Sequence, residues 1–140
     1  MAESEIFEYR VADRIRGNDG LMPYLEARLI HKDKSVMTSA LVDSGASVNV
    51  LPFAVGNQLG LIWDEQTVMV KLTGNLAKTE ARGIVLTVHV GNLPAKRLAF
   101  AWTRADDVPL LFGQVNFFME FDVCFFRNRQ QLQVSVKTNT

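Results

Sequence analysis

A single cysteine, Cys124, stands among 140 residues, so no disulfide can close within the chain and nothing in its thiol content points to an oxidising compartment. Its neighbours Val123, Phe125 and Phe126 predict a buried, inert thiol, because reactive thiols sit in exposed, electropositive surroundings. Net charge is absent as well. The 15 Lys and Arg residues balance the 15 Asp and Glu residues, which gives no electrostatic reason to expect nucleic acid or an anionic membrane as partner. No apolar run approaches the roughly 18–20 residues that a spanning helix requires. The start, Met1-Ala2-Glu3-Ser4-Glu5, is acidic and leads into no long apolar run, unlike a secretory signal. A soluble, cytoplasmic protein is the expectation. His31 and His89 fall in separate segments with no Cys or acid at ligand spacing, so each reads as a solvated or core residue, and neither a metal nor a cofactor is expected.

What is present is apolar residues at period two. The chain is 48% hydrophobic and 21% charged, ordinary for a globular fold, and its length suits one domain. Residues 21–31 alternate through Leu25, Ala27 and Leu29, and residues 36–43 form a second strand. Residues 83–90 place Ile84, Leu86, Val88 and Val90 on one face; residues 97–103 do the same with Leu98, Phe100 and Trp102. Phe121, Val123 and Phe125 alternate, as do Leu132, Val134 and Val136. Gly17-Asn18-Asp19-Gly20, Gly91-Asn92 and Arg127-Asn128-Arg129 read as turns. Short helices are predicted from Pro52 to near Gly60 and over about 114–120. Many short strands with closely spaced turns predict an all-β barrel or sandwich.

The chemistry concentrates in Asp43-Ser44-Gly45-Ala46, which follows the apolar run Ala40-Leu41-Val42. A strand that ends on an acid and turns at a glycine presents its carboxylate at a loop tip. Gly45 suits a tight turn with φ > 0 and sets no Cβ against neighbouring backbone, and Ser44 can hydrogen-bond across the turn. A lone Asp in such a place often only caps the turn. Here a second motif, Leu111-Phe112-Gly113, follows about 68 residues later.

Together these motifs resemble the retroviral-type (retropepsin-like) aspartic protease family. Its active-site loop reads Asp-Thr/Ser-Gly-Ala within an apolar frame, and its later signature reads apolar-apolar-Gly. The likeness runs from about residue 22 to residue 136, leaving an N-terminal extension over residues 1–20 of a single domain spanning 1–140. It implies a retropepsin-like acid-protease barrel protomer with one or two short helices. The strands Phe121–Phe126 and Gln130–Val136 resemble a closing hairpin of bacterial and cellular members. Aspartic protease chemistry requires two facing carboxylates, so one motif copy implies a two-fold homodimer acting on a peptide or protein substrate.

The resemblance assigns roles residue by residue. Asp43 is the catalytic acid, and Ser44, Gly45 and Ala46 form the active-site loop. Ser47 and Val48 bind substrate, as do Thr73, Gly74 and Asn75 at the tip of a flap hairpin around Met69–Arg82. Leu111, Phe112 and Gly113 form the structural signature, which crosses beneath the catalytic strand. The implied activity is endopeptidase cleavage of extended, mainly apolar segments. Three departures from the viral pattern stand out. The flap holds only Gly74, Ser47 replaces a common acid, and Gln114 replaces a common Arg. The last two residues are both neutral and can hydrogen-bond, so their change is concerted; one loss alone would strand a charge.

Other candidates have plainer readings. Asp106-Asp107 is a loop pair whose side chains point apart on an extended chain. Trp63 and Trp102 read as core or interface anchors, Asn49 as a buried hydrogen-bonder to backbone, and the 127–129 basic cluster as a solvated hairpin tip. The sparse flap favours one alternative function, a catalytically weak or inactive dimerisation or peptide-binding module on the same fold. A third reading, a domain cut from a mobile-element polyprotein, fits less well with the Met1 start and the full C-terminal hairpin.

Overall fold

The computed structural model describes residues 3–11 and 20–137. Its strands are β1 (Ser4–Glu8), β2 (Arg10–Val11), β3 (Leu21–Met22), β4 (Tyr24–His31), β5 (Lys34–Val42), β6 (Val50–Leu51), β7 (Met69–Val70), β8 (Ala81–Val90), β9 (Lys96–Thr103), β10 (Leu111–Phe112), β11 (Phe121–Phe126) and β12 (Gln131–Val136). Two short helices, α1 (Phe53–Gln58) and α2 (Phe117–Glu120), complete the elements that matter for the site.

Alternation decides the longest strands. In β8 the even residues from Ile84 to Val90 are buried while Val85 is exposed, and in β4 Leu25, Ala27 and Leu29 are fully buried between exposed Glu26 and Arg28. Both strands therefore lay one face on a common core. β8 returns into β9 through Gly91, whose φ of +53° suits a residue without a Cβ. The sheet runs β4-β5-β10-β6-β9-β8, and Ala27–Ile30 of β4 pairs back onto Thr87–Val90 of β8, closing a six-strand barrel.

The barrel interior is aromatic on one side. Phe112 stacks on Phe117 at 4.3 Å and Phe117 on Phe121 at 4.7 Å, so α2 and the start of β11 are pinned to the signature strand. On the other side Phe53, Trp63 and Trp102 pack together, and the Trp102 indole N–H donates to the Phe53 carbonyl at 3.2 Å. Both tryptophans are thus core anchors.

Several sequence expectations need correction. Cys124 is exposed. Its apolar neighbours misled, because β11 alternates and sends Phe121 and Val123 inward while Cys124 shares the outer face with Asp122. Ser4–Glu8, for which the sequence marked no element, is a strand pairing antiparallel with β12, and Glu5 accepts the Asn92 N–H at 2.9 Å to dock this second sheet, β1-β12-β11, on the β8–β9 turn. The 21–31 strand is broken at Pro23, which has no N–H to give, and its first part pairs with β2 instead. The second helix covers only Phe117–Glu120. The turn expected at 17–20 lies outside the described residues up to residue 19. Arg127–Arg129 forms a single helical turn between β11 and β12. Among the described residues no helix is long and apolar enough to cross a membrane.

Candidate active site

β5 carries the chain to Val42, and Asp43 follows at the first position where the ladder ends. β10 runs parallel beside β5, matching Leu111 to Leu41 and Phe112 to Val42, and on its other side Leu111 pairs antiparallel with Val50. The signature strand is therefore wedged between the strand that delivers Asp43 and the strand that receives the chain after the loop. The Asp43 N–H donates to the Phe112 carbonyl at 3.0 Å. The loop turns back on itself through Ala46 N–H to Asp43 O at 3.1 Å. Two rungs then tie its far arm to the residues after the signature, Gln114 N–H to Ala46 O at 2.9 Å and Val115 N–H to Ser47 O at 2.8 Å.

Gly113 permits this approach. A Cβ there would overlap the Val48 carbonyl oxygen and stand 2.9 Å from Ala46 O, both backbone atoms with no freedom to swing away. Asn49, fully buried, braces the same point. Its Oδ1 accepts the Gly113 N–H at 2.8 Å, its Nδ2 donates to Ala99 O at 3.1 Å, and its own N–H donates to Asn116 Oδ1 at 2.8 Å. The backbone-bonding role expected of Asn49 is what the structure has.

The Asp43 carboxylate is partly exposed and accepts the Gly45 N–H at 2.9 Å through Oδ1. Gly45 does not take the left-handed conformation expected of it; the described glycines with positive φ are Gly60, Gly74 and Gly91. What Gly45 supplies is room, since a Cβ would lie 3.3 Å from that same carboxylate oxygen. The Gln114 side chain donates to the Ser44 carbonyl at 2.7 Å, so it fastens the loop backbone directly.

Asp43 lies in a cleft of about 630 Å³. Of the residues singled out from sequence, Gly45, Ala46, Ser47, Val48, Thr73, Gly74, Asn75 and Leu111 line it too. Ser44 is exposed outside the lining, and Phe112 and Gly113 are buried beneath it. The flap itself is a short ladder: Met69 pairs with Arg82 and Val70 with Ala81, extended by Gly83 N–H to Val68 O at 2.8 Å. Its tip is a single helical turn over Gly74–Leu76, with Gly74 at φ +64°. Although the sequence reading named Asp107 as half of a loop acid pair, it gave no cleft role to Leu72, Leu76, Asp107 or Val108, which also line it. The signal for the last two was their place just before the signature, on the loop that must lead into it. Asp106, by contrast, accepts the Ala54 N–H at 2.8 Å near the start of α1. The adjacent acids thus do point to different tasks. Among the described residues no three His, Cys, Asp or Glu side chains gather as metal ligands would.

The aspartyl protease family model matches residues 28–115, which contain both the Asp43 loop and the signature strand. A search of curated proteins finds no match. Among solved structures, the chain is similar to a retropepsin-like aspartic protease from Rickettsia conorii, with 17% identity and a TM-score of 0.64 over 97% of this chain and 94% of that one. At that identity the likeness speaks for the fold, which is retropepsin-like, while the family match speaks for kinship. This chain belongs to the aspartyl protease family.

Proposed function

We propose that the protein is an aspartic endopeptidase whose working form is a homodimer, with one Asp43 from each protomer forming the catalytic pair. The observation that carries this is the Asp43 carboxylate, fixed by backbone hydrogen bonds at a loop tip and open to a cleft roofed by the 69–82 hairpin. One protomer supplies one such carboxylate, and the chemistry needs two. With two carboxylates about one hydrogen bond apart, like charges cannot both ionise, so the pair holds one proton between them. The ionised member takes a proton from a bound water, which attacks the scissile carbonyl; the protonated member donates to the carbonyl oxygen. Ser44, on the exposed outer side of each loop, would join the two loops across the two-fold axis. The flap would cover an extended peptide by strand-like hydrogen bonds and exclude water. The apolar part of the lining, Leu72, Leu76, Val48 and Val108 among it, favours apolar side chains about the cleaved bond. The unit that does this is the whole of residues 1–140.

The brevity of the flap ladder favours one second reading, a protomer that dimerises and binds peptides but cleaves them weakly or not at all. An unbiased peptide library separates the two. Cleavage by the wild type, with none by Asp43→Asn, supports the endopeptidase. Binding without cleavage at any pH supports the module.

A further inference from the structure

The cleft contains an acid that the peptidase chemistry does not use. Asp107 lines it, is exposed, and has neither a hydrogen bond nor an ion pair within the described residues. Among the described residues no Lys, Arg or His lines the cleft to answer it. The nearby cations face elsewhere: Lys71 and Lys78 line a separate groove on the flap loop, and Arg104 lies over the Phe53 and Trp63 rings. Arg82 gives its guanidinium to the Trp63 and Gln66 carbonyls.

Nor is Asp107 carried on a loose strap. On one side of it the Ala105 carbonyl accepts from Phe53 N–H and from the Thr103 hydroxyl, and Asp106 is engaged at Ala54. On the other side Val108 is buried, and Leu110 O accepts the Leu41 N–H at 2.9 Å. An anchored loop thus presents an unanswered carboxylate beside an apolar wall.

We propose that Asp107 is a specificity residue that selects substrates with a lysine or arginine within the otherwise apolar segment bound in the cleft. The inference rests on the peptide-binding part of the reading above. A lysine side chain suits such a place well: its methylene stem lies along Val108 and Leu76 while its ammonium reaches the carboxylate. In the two-fold dimer each half-cleft has its own Asp107, so the preference applies on both sides of the scissile bond.

The test compares peptide pairs that differ only by lysine or norleucine at one position, scanned along the segment. The readout is the ratio of kcat/KM within each pair, which cancels the concentration of active enzyme. In the wild type the ratio should favour lysine by about twofold to fivefold at one or more positions, as for a solvent-reached ion pair, and shrink at raised ionic strength. It should fall to about one in Asp107→Asn and invert in Asp107→Lys. The same pairs are titrated by fluorescence anisotropy against Asp43→Asn, with and without Asp107→Asn. A ratio near one throughout the wild type, or an equal lysine preference in Asp107→Asn, overturns the proposal. If nothing is cleaved but lysine peptides bind more tightly in an Asp107-dependent way, the specificity role stands and the peptidase reading falls. If neither peptide binds nor is cleaved, both fall.

Discussion

Replacing Asn49 with alanine tests whether the active-site loop is held from beneath. Asn49 is fully buried, and its side chain bridges two chain segments, accepting from Gly113 N–H at 2.8 Å and donating to Ala99 O at 3.1 Å. Asn49→Ala removes both bonds and leaves both backbone groups facing the space the amide filled. A buried polar group left without its partner costs about 1–3 kcal/mol. The Gly113 bond is wholly buried and the Ala99 end only partly so. The sum is therefore about 2–5 kcal/mol, reduced where a water enters the vacated space. Against a typical stability of about 5–15 kcal/mol this is a large share. Asn49→Thr retains one hydroxyl of shorter reach and should lose roughly half as much. Urea unfolding followed by fluorescence of the buried Trp63 and Trp102 reads the difference, at fixed protein concentration because a dimer's stability depends on it. A loss below about 1 kcal/mol for Asn49→Ala, with unchanged denaturant slope, would refute the bridging role.

Gly113→Ala should cost about 3 kcal/mol or more, or yield no soluble protein, because its Cβ meets the Val48 and Ala46 carbonyls and no side chain can yield; thermal unfolding checks it. Asp43→Asn should abolish hydrolysis while leaving the circular dichroism spectrum and dimer intact, since asparagine keeps the oxygen that accepts the Gly45 N–H. Sedimentation reports the dimer, and residual cleavage near the wild-type rate would remove Asp43 from the mechanism. Activity should follow a bell in pH, because the proposed pair must hold one proton between its two carboxylates and falls out of that state on either side. A rate profile on one peptide decides it, and a flat profile through alkaline pH contradicts a shared proton.

The parts of the fold legible in sequence were those in which alternation and chemistry coincide. β8 from Ile84 to Val90 and β9 up to Phe100 alternate over half-buried faces, and the boundaries of both strands could be read within a few residues. Ala101 and Thr103 escaped notice because the end of β9 is buried on both sides, where period two carries no signal. β1 alternates too, but with glutamates on either side of Ile6 and Phe7 it reads as a polar terminus. Its partner is over a hundred residues away, and only that pairing makes it a strand. Cys124 shows the converse error, a sequence neighbourhood taken for a spatial one. In the site, Asp43 and the signature were legible because a carboxylate at a strand end and a glycine under a crossing chain each need a particular residue. Asp107 and Leu72 were not, because lining a cleft constrains shape more than residue type.

The way the loop is fastened explains how Ser47 and Gln114 can stand where an acid and an arginine are common. The rungs that hold residues 43–47 run mostly from main chain to main chain: Asp43 to Phe112, Gln114 to Ala46, Val115 to Ser47. None depends on the identity of the side chain at either end. A charged pair at positions 47 and 114 would add an electrostatic tie across a frame already closed by these bonds. Here the Gln114 amide provides a neutral tie instead, and it reaches the Ser44 carbonyl at 2.7 Å, beside the carboxylate that the loop presents. A neutral donor at that place carries no burial penalty for a charge when a second protomer covers the loop, whereas an arginine without its acid would. In the homodimer proposed above, the exchange suits a loop that meets a second protomer, and it leaves Asp43 positioned by the backbone of the signature strand. The residues that cannot change without moving the carboxylate are the ones beneath it, Gly113 for its lack of a Cβ and Asn49 for its two-ended amide.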